Sequence, residues 1–227
     1  MTGSPFEHLD RPWIPPELAD PEGLVGVGGD LRPETLLLAY ADGVFPWFNK
    51  SDPVLWWSPD PRAVIELDKF HVPRRLARTI RQGKFRVTIN RCFETVIREC
   101  GERRPEGTWV TDEMVRAYTA LHDLGYAHSV ETWVGGELAG GTYGVALGAL
   151  FAAESMFFRV TDGSKAALVS LVERLRARGY ELLDVQMTTQ HTERFGAAEI
   201  PRREYLRRLK SAVRKTGVTF ADKGDGG

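Results

Sequence analysis

An aspartate and a glutamine stand two positions apart near the end of one apolar run, a spacing that can do chemistry. Asp184 and Gln186 close the segment ELLDVQ (181–186), which has the composition of a strand. Because alternate side chains of a strand project from the same face, both polar groups lie on one face. A carboxylate that polarises a neighbouring amide, which in turn orients an amine, suits acyl transfer to that amine. The alternative is that both side chains only satisfy loop N–H groups.

Other residue types that carry chemistry have no partner at the required spacing. No two of the five histidines have H-x-x-x-H spacing, so they are interpreted as structural. Ser155 has no base near it in the sequence, which argues against a nucleophilic serine. Cys92 and Cys100 are too few for a disulfide framework and do not have metal-ligand spacing. The sequence therefore predicts no metal site.

Positive charge is concentrated in two segments, although the formal net charge of −1 argues against nucleic-acid binding by overall attraction. Segment 71–87 is rich in Arg and contains no acid, and segment 201–215 is also basic. If residues 73–82 form a helix, several of these arginines share one face. That face is either a solvated helix surface or a patch that contacts phosphates. The arginines concerned are Arg74, Arg75, Arg78 and Arg81.

The helices that must position these residues are predicted from caps, glycines and apolar spacing. Polar caps or proline mark the starts, and glycine marks the stops. The helices are predicted to begin near Pro33, Asn90, Thr111 and Ser164 and to stop at Gly43, Gly101, Gly125 and Gly179.

The strands predict the class of fold. IEL (65–67), FRVTI (85–89) and ELLDVQ (181–186) have strand composition, and 127–158 is typical of a three-stranded antiparallel meander. Hairpin strands followed by a strand, a helix and a parallel strand give the order of an acyl-CoA N-acyltransferase (GNAT-like) core. The predicted class is therefore α+β with a mixed sheet.

Two further segments restrict the function. FFRVTDGSKAAL, before the helix at Ser164, contains Gly163 but not the repeated glycines that cradle a CoA pyrophosphate, which argues against CoA as the donor. FPWFNKSDPVLWWSPDPR (45–62) combines three tryptophans with four prolines. Proline at this density predicts neither a helix nor a central strand there.

The chain shows no sign of export or membrane insertion. No apolar run approaches 18 residues, and the first residues lack the apolar region of a signal peptide. The sequence therefore predicts a cytoplasmic protein with no membrane partner.

Longer motifs stand in a fixed order from about residue 20 to residue 209. They are EGLVGVGGDLRPETLLLAYADGVFPWF, DPVLWWSPDPRAV, GTWV, AYTALHDLGYAHSVE, GGTYGVALGALFAAESMF, SKAAL, LDVQ and HTERFGAAEIPRREYL. Together they resemble the leucyl/phenylalanyl-tRNA–protein transferases, and WWSPDPR and ESMF are the most specific of them. The resemblance implies a small N-terminal domain (1–62) and a GNAT-like catalytic domain (63–215). We also expect a disordered tail (216–227).

The resemblance implies an activity as well. Such enzymes move Leu or Phe, and less readily Met, from aminoacyl-tRNA to the N-terminal Arg or Lys of a protein, which marks it for the N-degron pathway. The partners are then aminoacyl-tRNA and proteins or peptides that begin with Arg or Lys. No metal and no bound organic cofactor are expected, and we expect a monomer. The alternatives are a CoA-dependent N-acetyltransferase and a non-catalytic module that stacks RNA bases on tryptophans.

Roles for individual residues also follow from the resemblance. Asp184 and Gln186 match the family's D-x-Q pair, proposed to activate the attacking α-amine, and the basic segment gains the tRNA acceptor stem as a partner. The 3′-terminal adenosine is assigned to Trp47, Trp109, Glu154 and Ser155. The pocket for the transferred side chain is assigned to Thr142, Met156, Leu168, Leu171, Leu175 and Leu183.

Some positions depart from the family's usual residues. Ala153 replaces the glycine of G-E-S-M-F, and Val185 replaces the cysteine of D-C-Q. Thr142 stands where Met is frequent, and Leu171 and Leu175 stand where aromatic residues are frequent. These changes leave the preference between Leu and Phe open. They do not change the reaction that the resemblance implies.

Overall fold

A computed structural model describes residues 11–102 and 110–221, and within them the strands form a small sheet and a large one. The small sheet consists of β1 (Leu24–Val27), β2 (Phe45–Pro46) and β3 (Leu55–Trp57) in the order β1-β3-β2. Helix α1 (Pro33–Asp42) connects β1 to β2. It has Pro33 in its first turn and ends at Gly43 in the left-handed conformation (φ 79°), as the sequence predicts.

The prediction that residues 45–62 contain no central strand is wrong, because Leu55–Trp57 is the central strand of the small sheet. The neighbouring prolines flank this strand instead of interrupting it, and Pro46 lies in the edge strand β2. Trp56 is fully buried, with its ring centroid 4.8 Å from that of Trp13. Its indole N–H donates to the carbonyl oxygen of Gly28 at 2.8 Å, so the tryptophan fixes β3 in place.

The large sheet has seven strands in the order β10-β4-β9-β8-β7-β6-β5. All neighbours are antiparallel except β8 and β9, which are parallel. The predicted meander is confirmed in β6, β7 and β8, and the mixed sheet confirms the predicted α+β class. The strands are β4 (Arg62–Ile65), β5 (Arg86–Ile89), β6 (Ala127–Val134), β7 (Glu137–Leu147), β8 (Leu150–Phe158), β9 (Leu182–Gln186) and β10 (Ala197–Ile200).

Helices cover both faces of the large sheet, and α5 connects the two parallel strands. The Thr111 hydroxyl accepts the Met114 N–H at 3.2 Å, which confirms the predicted cap of α4. The cap predicted at Asn90 is wrong, because this side chain instead accepts the Ser129 N–H at 3.0 Å. The helices are α2 (Arg74–Arg81), α3 (Phe93–Glu102), α4 (Asp112–Asp123), α5 (Gly163–Ala177), α6 (Gln190–Glu193) and α7 (Arg202–Ala212).

One hydrophobic cluster extends from the small sheet into the large part of the protein. It joins Trp13, Leu36 and Trp56 to Phe93 on α3 and Tyr143 on β7. The two parts therefore share a core, and the division at residue 62 stays a prediction.

The disordered tail predicted for 216–227 is wrong over its described part, residues 216–221. Phe220 is buried, with its ring stacked on Phe151 of β8 at 5.1 Å and on His128 at 4.6 Å. The Arg174 Nε–H also donates to the Phe220 carbonyl oxygen at 2.6 Å. Val218 also packs against the core, so two apolar side chains fasten this segment to it.

In the described ranges, no helix combines the length and the apolar character that crossing a membrane requires.

Candidate active site

The parallel strands β8 and β9 separate at their carboxyl ends and open a cavity. Their pairing ends at Ala152 and Asp184, so Glu154 and Gln186 lie beyond the point of separation. The cavity has a volume of about 390 Å³, and residues of β7, β8, β9, α5 and α6 line it. Such a gap at the carboxyl ends of strands is where α/β folds place ligands.

A chain of hydrogen bonds forms the polar wall of this cavity. The Gln186 Nε2 donates to Glu154 Oε1 at 3.3 Å, and the Tyr118 hydroxyl donates to Glu154 Oε2 at 3.4 Å. The hydroxyls of Tyr118 and Tyr40 are 2.5 Å apart. With its amide nitrogen used in this way, Gln186 keeps its amide oxygen as an acceptor. Since Tyr40 lies on α1, the N-terminal part contributes to the site.

Glu154 has a pKa that suits proton transfer at neutral pH. Burial raises the pKa of this carboxyl from 4.5 to about 7, against the hydrogen bonds of Tyr40 and Tyr118, which lower it. The charge of Asp184 also raises it, and that of Arg62 lowers it. Burial holds the pKa of both tyrosines well above the usual value, so they remain neutral donors. Glu154 can therefore accept or release a proton near pH 7.

Asp184 forms a fully buried ion pair with Arg62 of β4. The Arg62 Nε and Nη2 donate to its two carboxylate oxygens at 2.9 and 2.6 Å, and the Tyr205 hydroxyl donates at 2.9 Å. The guanidinium lies 4.8 Å from the Phe45 ring centroid and 4.5 Å from that of Tyr205. Its Nη1 donates to the carbonyl oxygen of Gly43 at 3.2 Å. Burial alone would lower the pKa of Arg62, but the charge of Asp184 leaves it raised.

Asp184 determines the direction of Gln186 through the backbone. Gln186 has a left-handed conformation (φ 57°), which is strained for a residue other than glycine. Its N–H donates to Asp184 Oδ1 at 2.9 Å, which stabilises this conformation. Leu183 and Val185 pack on the α5 side of the sheet, so the two polar side chains face the other side, as their spacing predicts. Asp184 does not line the cavity and acts as a positioning residue.

The apolar wall contains only part of the predicted side-chain pocket. Thr142, Met156 and Leu168 of that predicted pocket line the cavity, and so does Ser155, which is predicted to bind the adenosine. The Thr142 hydroxyl donates to the Ser155 carbonyl oxygen at 3.0 Å, so its hydrogen-bonding need is met within the protein. The methyl group of the same side chain can then contribute to the apolar wall. Three further leucines of the predicted pocket are buried in the hydrophobic core and are not among the residues that line the cavity, so their contact with the transferred side chain stays a prediction. They are Leu171, Leu175 and Leu183.

Of the two tryptophans assigned to the adenosine, the structure describes Trp47 but not Trp109. The exposed fraction of Trp47 is 43%, unusually large for this side chain. The Trp57 indole N–H donates to its carbonyl oxygen at 2.7 Å, and the two rings are 6.0 Å apart. Trp47 therefore offers a supported, open ring face near the edge of the small sheet. Trp109 lies outside the described residues.

Helix α2 exposes the predicted arginines, and Leu76 is its buried contact with the core. Among the residues that the structure describes, these four side chains form no ion pair. Their contact with phosphate stays a prediction. They are Arg74, Arg75, Arg78 and Arg81.

Four residues of the polar network were not found by sequence reasoning: Arg62, Tyr205, Tyr40 and Tyr118. Each makes its contact with a residue far away in the chain, so no local spacing reveals it. One indication was available, since Arg62 directly precedes the apolar run AVI and a charge in a buried strand requires a partner.

Gly163 has a packing role at the start of α5. A Cβ atom at this position would lie 2.4 Å from the carbonyl oxygen of Ala139, so only glycine permits this approach of helix and strand. The glycine is thus explained without a phosphate cradle, which supports the expectation that CoA is not the donor.

Within residues 11–102 and 110–221, no group of three or more His, Cys, Asp or Glu side chains is placed to hold a metal ion.

The sequence of this chain matches family models and known proteins, and the matches include the residues of this site. A family model described as leucyl/phenylalanyl-tRNA protein transferase matches residues 64–210, and the model of that family's N-terminal domain matches residues 29–60. The leucyl/phenylalanyl-tRNA–protein transferase of Anaeromyxobacter sp. (strain K) is 58% identical over 214 residues, 92% of each chain. The protein of that name from Magnetococcus marinus is 53% identical over 213 residues, 91% of this chain and 90% of its own.

Among solved structures, a GCN5-related N-acetyltransferase-like protein from Streptococcus suis is 16% identical with a TM-score of 0.38. That match covers 72% of this chain and 61% of the other. The sequence matches extend over most of both chains, and the residues of the cavity lie inside them. The chain therefore belongs to the leucyl/phenylalanyl-tRNA–protein transferases, a family of aminoacyltransferases.

Proposed function

We propose that this protein transfers Leu or Phe, and less readily Met, from aminoacyl-tRNA to the α-amine of proteins that begin with Arg or Lys. The modified N-terminus then serves as a signal for the N-degron pathway. One observation carries the proposal: a carboxyl with a pKa of about 7, Glu154, meets the Gln186 amide in a cavity that also has an apolar wall.

The reaction is attack of the acceptor amine on the ester carbon that joins the amino acid to the terminal ribose. A C–N bond forms, the ester C–O bond breaks, the amine loses a proton and the ribose oxygen gains one. Glu154 can accept the first proton and supply the second, because its pKa is about 7. The free amide oxygen of Gln186 can accept a hydrogen bond from the amine and so orient its lone pair.

The two substrates have opposite requirements in this site. The transferred side chain is apolar and suits the wall formed by Thr142, Met156 and Leu168. The acceptor brings a cationic side chain, which the Glu154 carboxylate favours when ionised. We assign the adenosine to the ring faces of Trp47 and Trp109, since base–aromatic stacking contributes about 1–3 kcal/mol per base.

The reaction as proposed needs no metal and no cofactor. The aminoacyl ester is already activated, so no further chemical energy is required for the new bond. Since the donor is the aminoacyl-tRNA used for translation, we place the enzyme in the cytoplasm. A monomer suffices, because all the assigned residues belong to one chain.

The test offers leucyl-tRNA, phenylalanyl-tRNA or methionyl-tRNA to a peptide that begins with Arg. We expect the peptide mass to increase by one Leu or Phe residue, and more slowly by one Met. The control is the same peptide with an acetylated N-terminus, which has no amine to attack. Acetylation from acetyl-CoA, without aminoacyl transfer, would instead support the acetyltransferase.

A further inference from the structure

A second cavity, of about 280 Å³, adjoins the candidate active site. Neighbouring residues of two elements line the two cavities: Ser164 and Thr192 line the first, and Lys165 and Arg194 the second. Residues of α2, including Arg75, also line the second cavity. The second cavity therefore lies between the active site and the basic helix.

Cations outnumber acids in this second cavity. Arg75, Lys165 and Arg194 line it together with one acid, Asp162, which Lys165 already contacts at 2.7 Å. Over the described part of the chain, Arg75 and Arg194 form no ion pair. Like charges in a confined space repel each other, so a bound anion would stabilise this arrangement.

Two further contacts show that the positive charge extends around the cavity. The Lys84 ammonium donates to the carbonyl oxygen of Thr161, which lines the cavity, at 3.4 Å. The pKa of His191, in the wall of the active site, is lowered by burial and then by the charges of Lys165 and Arg194. Positive charge thus continues from the edge of the active site to α2.

We propose that this second cavity binds a phosphodiester group of the donor RNA, close to the 3′-terminal adenosine. The proposal rests on the proposed function, because it requires the aminoacyl end of the RNA in the first cavity. The RNA strand must then leave that cavity, and the adjoining second cavity leads towards the arginines of α2. The acceptor is excluded by charge, because its amine and its Arg or Lys side chain are cationic.

The experiment compares two donors that differ in phosphate. Leucyl-tRNA carries the phosphodiesters, whereas leucyl-adenosine carries only the ester and the nucleoside. In the double variant Lys165→Met/Arg194→Met, we expect the KM for leucyl-tRNA to rise about tenfold and the KM for leucyl-adenosine to stay unchanged. The slope of tRNA binding against salt should also decrease by about one, because a single phosphodiester loses its cationic partners.

A matched control removes the same charges elsewhere. Lys210→Met/Arg214→Met, at the end of α7, should leave the KM for leucyl-tRNA within about twofold of the original. The Lys165→Arg variant should also keep the KM for leucyl-tRNA unchanged, because the positive charge remains.

Three outcomes would overturn the proposal. An equal rise in KM for both donors would mean that these residues shape the active site and bind no phosphate. A change confined to the KM of acceptor peptides with acidic residues would assign the cavity to the acceptor. No change in either KM, with the salt slope intact, would leave the cavity without a role in donor binding.

The binding measurement separates this proposal from the proposed function. Binding of deacylated tRNA, measured against salt, needs no catalysis. It therefore tests the cavity even if the wild-type protein transfers no amino acid.

Discussion

Two sets of arginines in this protein have opposite environments. Arg62 is fully buried, and its guanidinium contacts a carboxylate, two aromatic rings and a carbonyl oxygen. The arginines of α2 are exposed and form no ion pair with the described residues. A buried, fully bonded arginine holds other groups in place, whereas an exposed and unpaired one is available to a ligand. The same residue type thus positions the site in one region and is left available to a ligand in the other.

Breaking the buried pair should give the largest effect. Arg62→Met leaves Asp184 charged and unpaired, which we expect to lower the free energy of unfolding by about 3–5 kcal/mol. Urea denaturation measures this directly. Because the Gln186 N–H also depends on Asp184, transfer from leucyl-tRNA should be lost as well.

The double variant Arg62→Met/Asp184→Leu separates positioning from stability. Apolar residues of similar volume should restore much of the lost stability. Transfer should stay low, since nothing then accepts the Gln186 N–H. A double variant that is stable and transfers Leu at the original rate would refute the positioning role.

Glu154 should give the next largest effect. Glu154→Gln removes the proton acceptor, and we expect the rate at pH 7.5 to decrease about 100-fold. In the original protein, activity should rise from pH 6 to 8 as the carboxyl with a pKa of about 7 ionises. The variant should keep only the dependence due to the acceptor's α-amine, which titrates near pH 7.7–8.0. Identical pH profiles would remove Glu154 from proton transfer.

Stability gives an independent test of the same pKa. Because the folded-state pKa is raised from 4.5 to about 7, the folded protein holds this proton more tightly than the unfolded chain. The contribution is fully present below pH 4.5 and is lost as the pH rises towards 7. Relative to the original protein, the stability of Glu154→Gln should therefore increase over this range.

Trp47 should give a smaller effect, limited to the donor. Trp47→Ala removes one stacking face, worth about 1–3 kcal/mol, so the KM for leucyl-tRNA should rise about tenfold. Leucyl-adenosine should show the same rise, because both donors contain the adenosine. Trp47→Phe keeps an aromatic face and serves as the control. An unchanged KM in the alanine variant would exclude Trp47 from the adenosine site.

Substitutions of the exposed arginines of α2 should give the smallest effect. We expect Arg74→Met, Arg78→Met and Arg81→Met each to reduce the slope of tRNA binding against salt by about one, with kcat unchanged. Binding that does not depend on salt would make α2 a solvated surface.

Local patterns predicted most of the helices and the meander. Thr111 caps α4, and glycine follows the ends of α1 and α5, because these features depend on neighbouring residues only. The strand spacing also placed Asp184 and Gln186 on one face. These predictions succeed where the deciding interactions lie within a few residues of each other.

The failures involve contacts between distant residues. The Asn90 side chain bonds to Ser129 on a neighbouring strand, and Phe220 packs on β8. The partner of Asp184, Arg62, lies 122 positions earlier. Spacing alone also does not reveal that Leu171 and Leu175 of α5 are fully buried in the hydrophobic core.

That separation of 122 residues has a consequence for synthesis. Both neighbours of β4 in the sheet, β9 and β10, come late in the chain. At about 5–20 residues per second, β4 waits on the order of ten seconds on the ribosome without a partner strand. During this time its run Ala63–Ile65 is an unpaired apolar edge, which favours aggregation. The preceding Pro61 and the charge of Arg62 oppose such pairing, as gatekeeper residues do. We therefore expect Arg62 to oppose aggregation of the nascent strand before Asp184 has been synthesised.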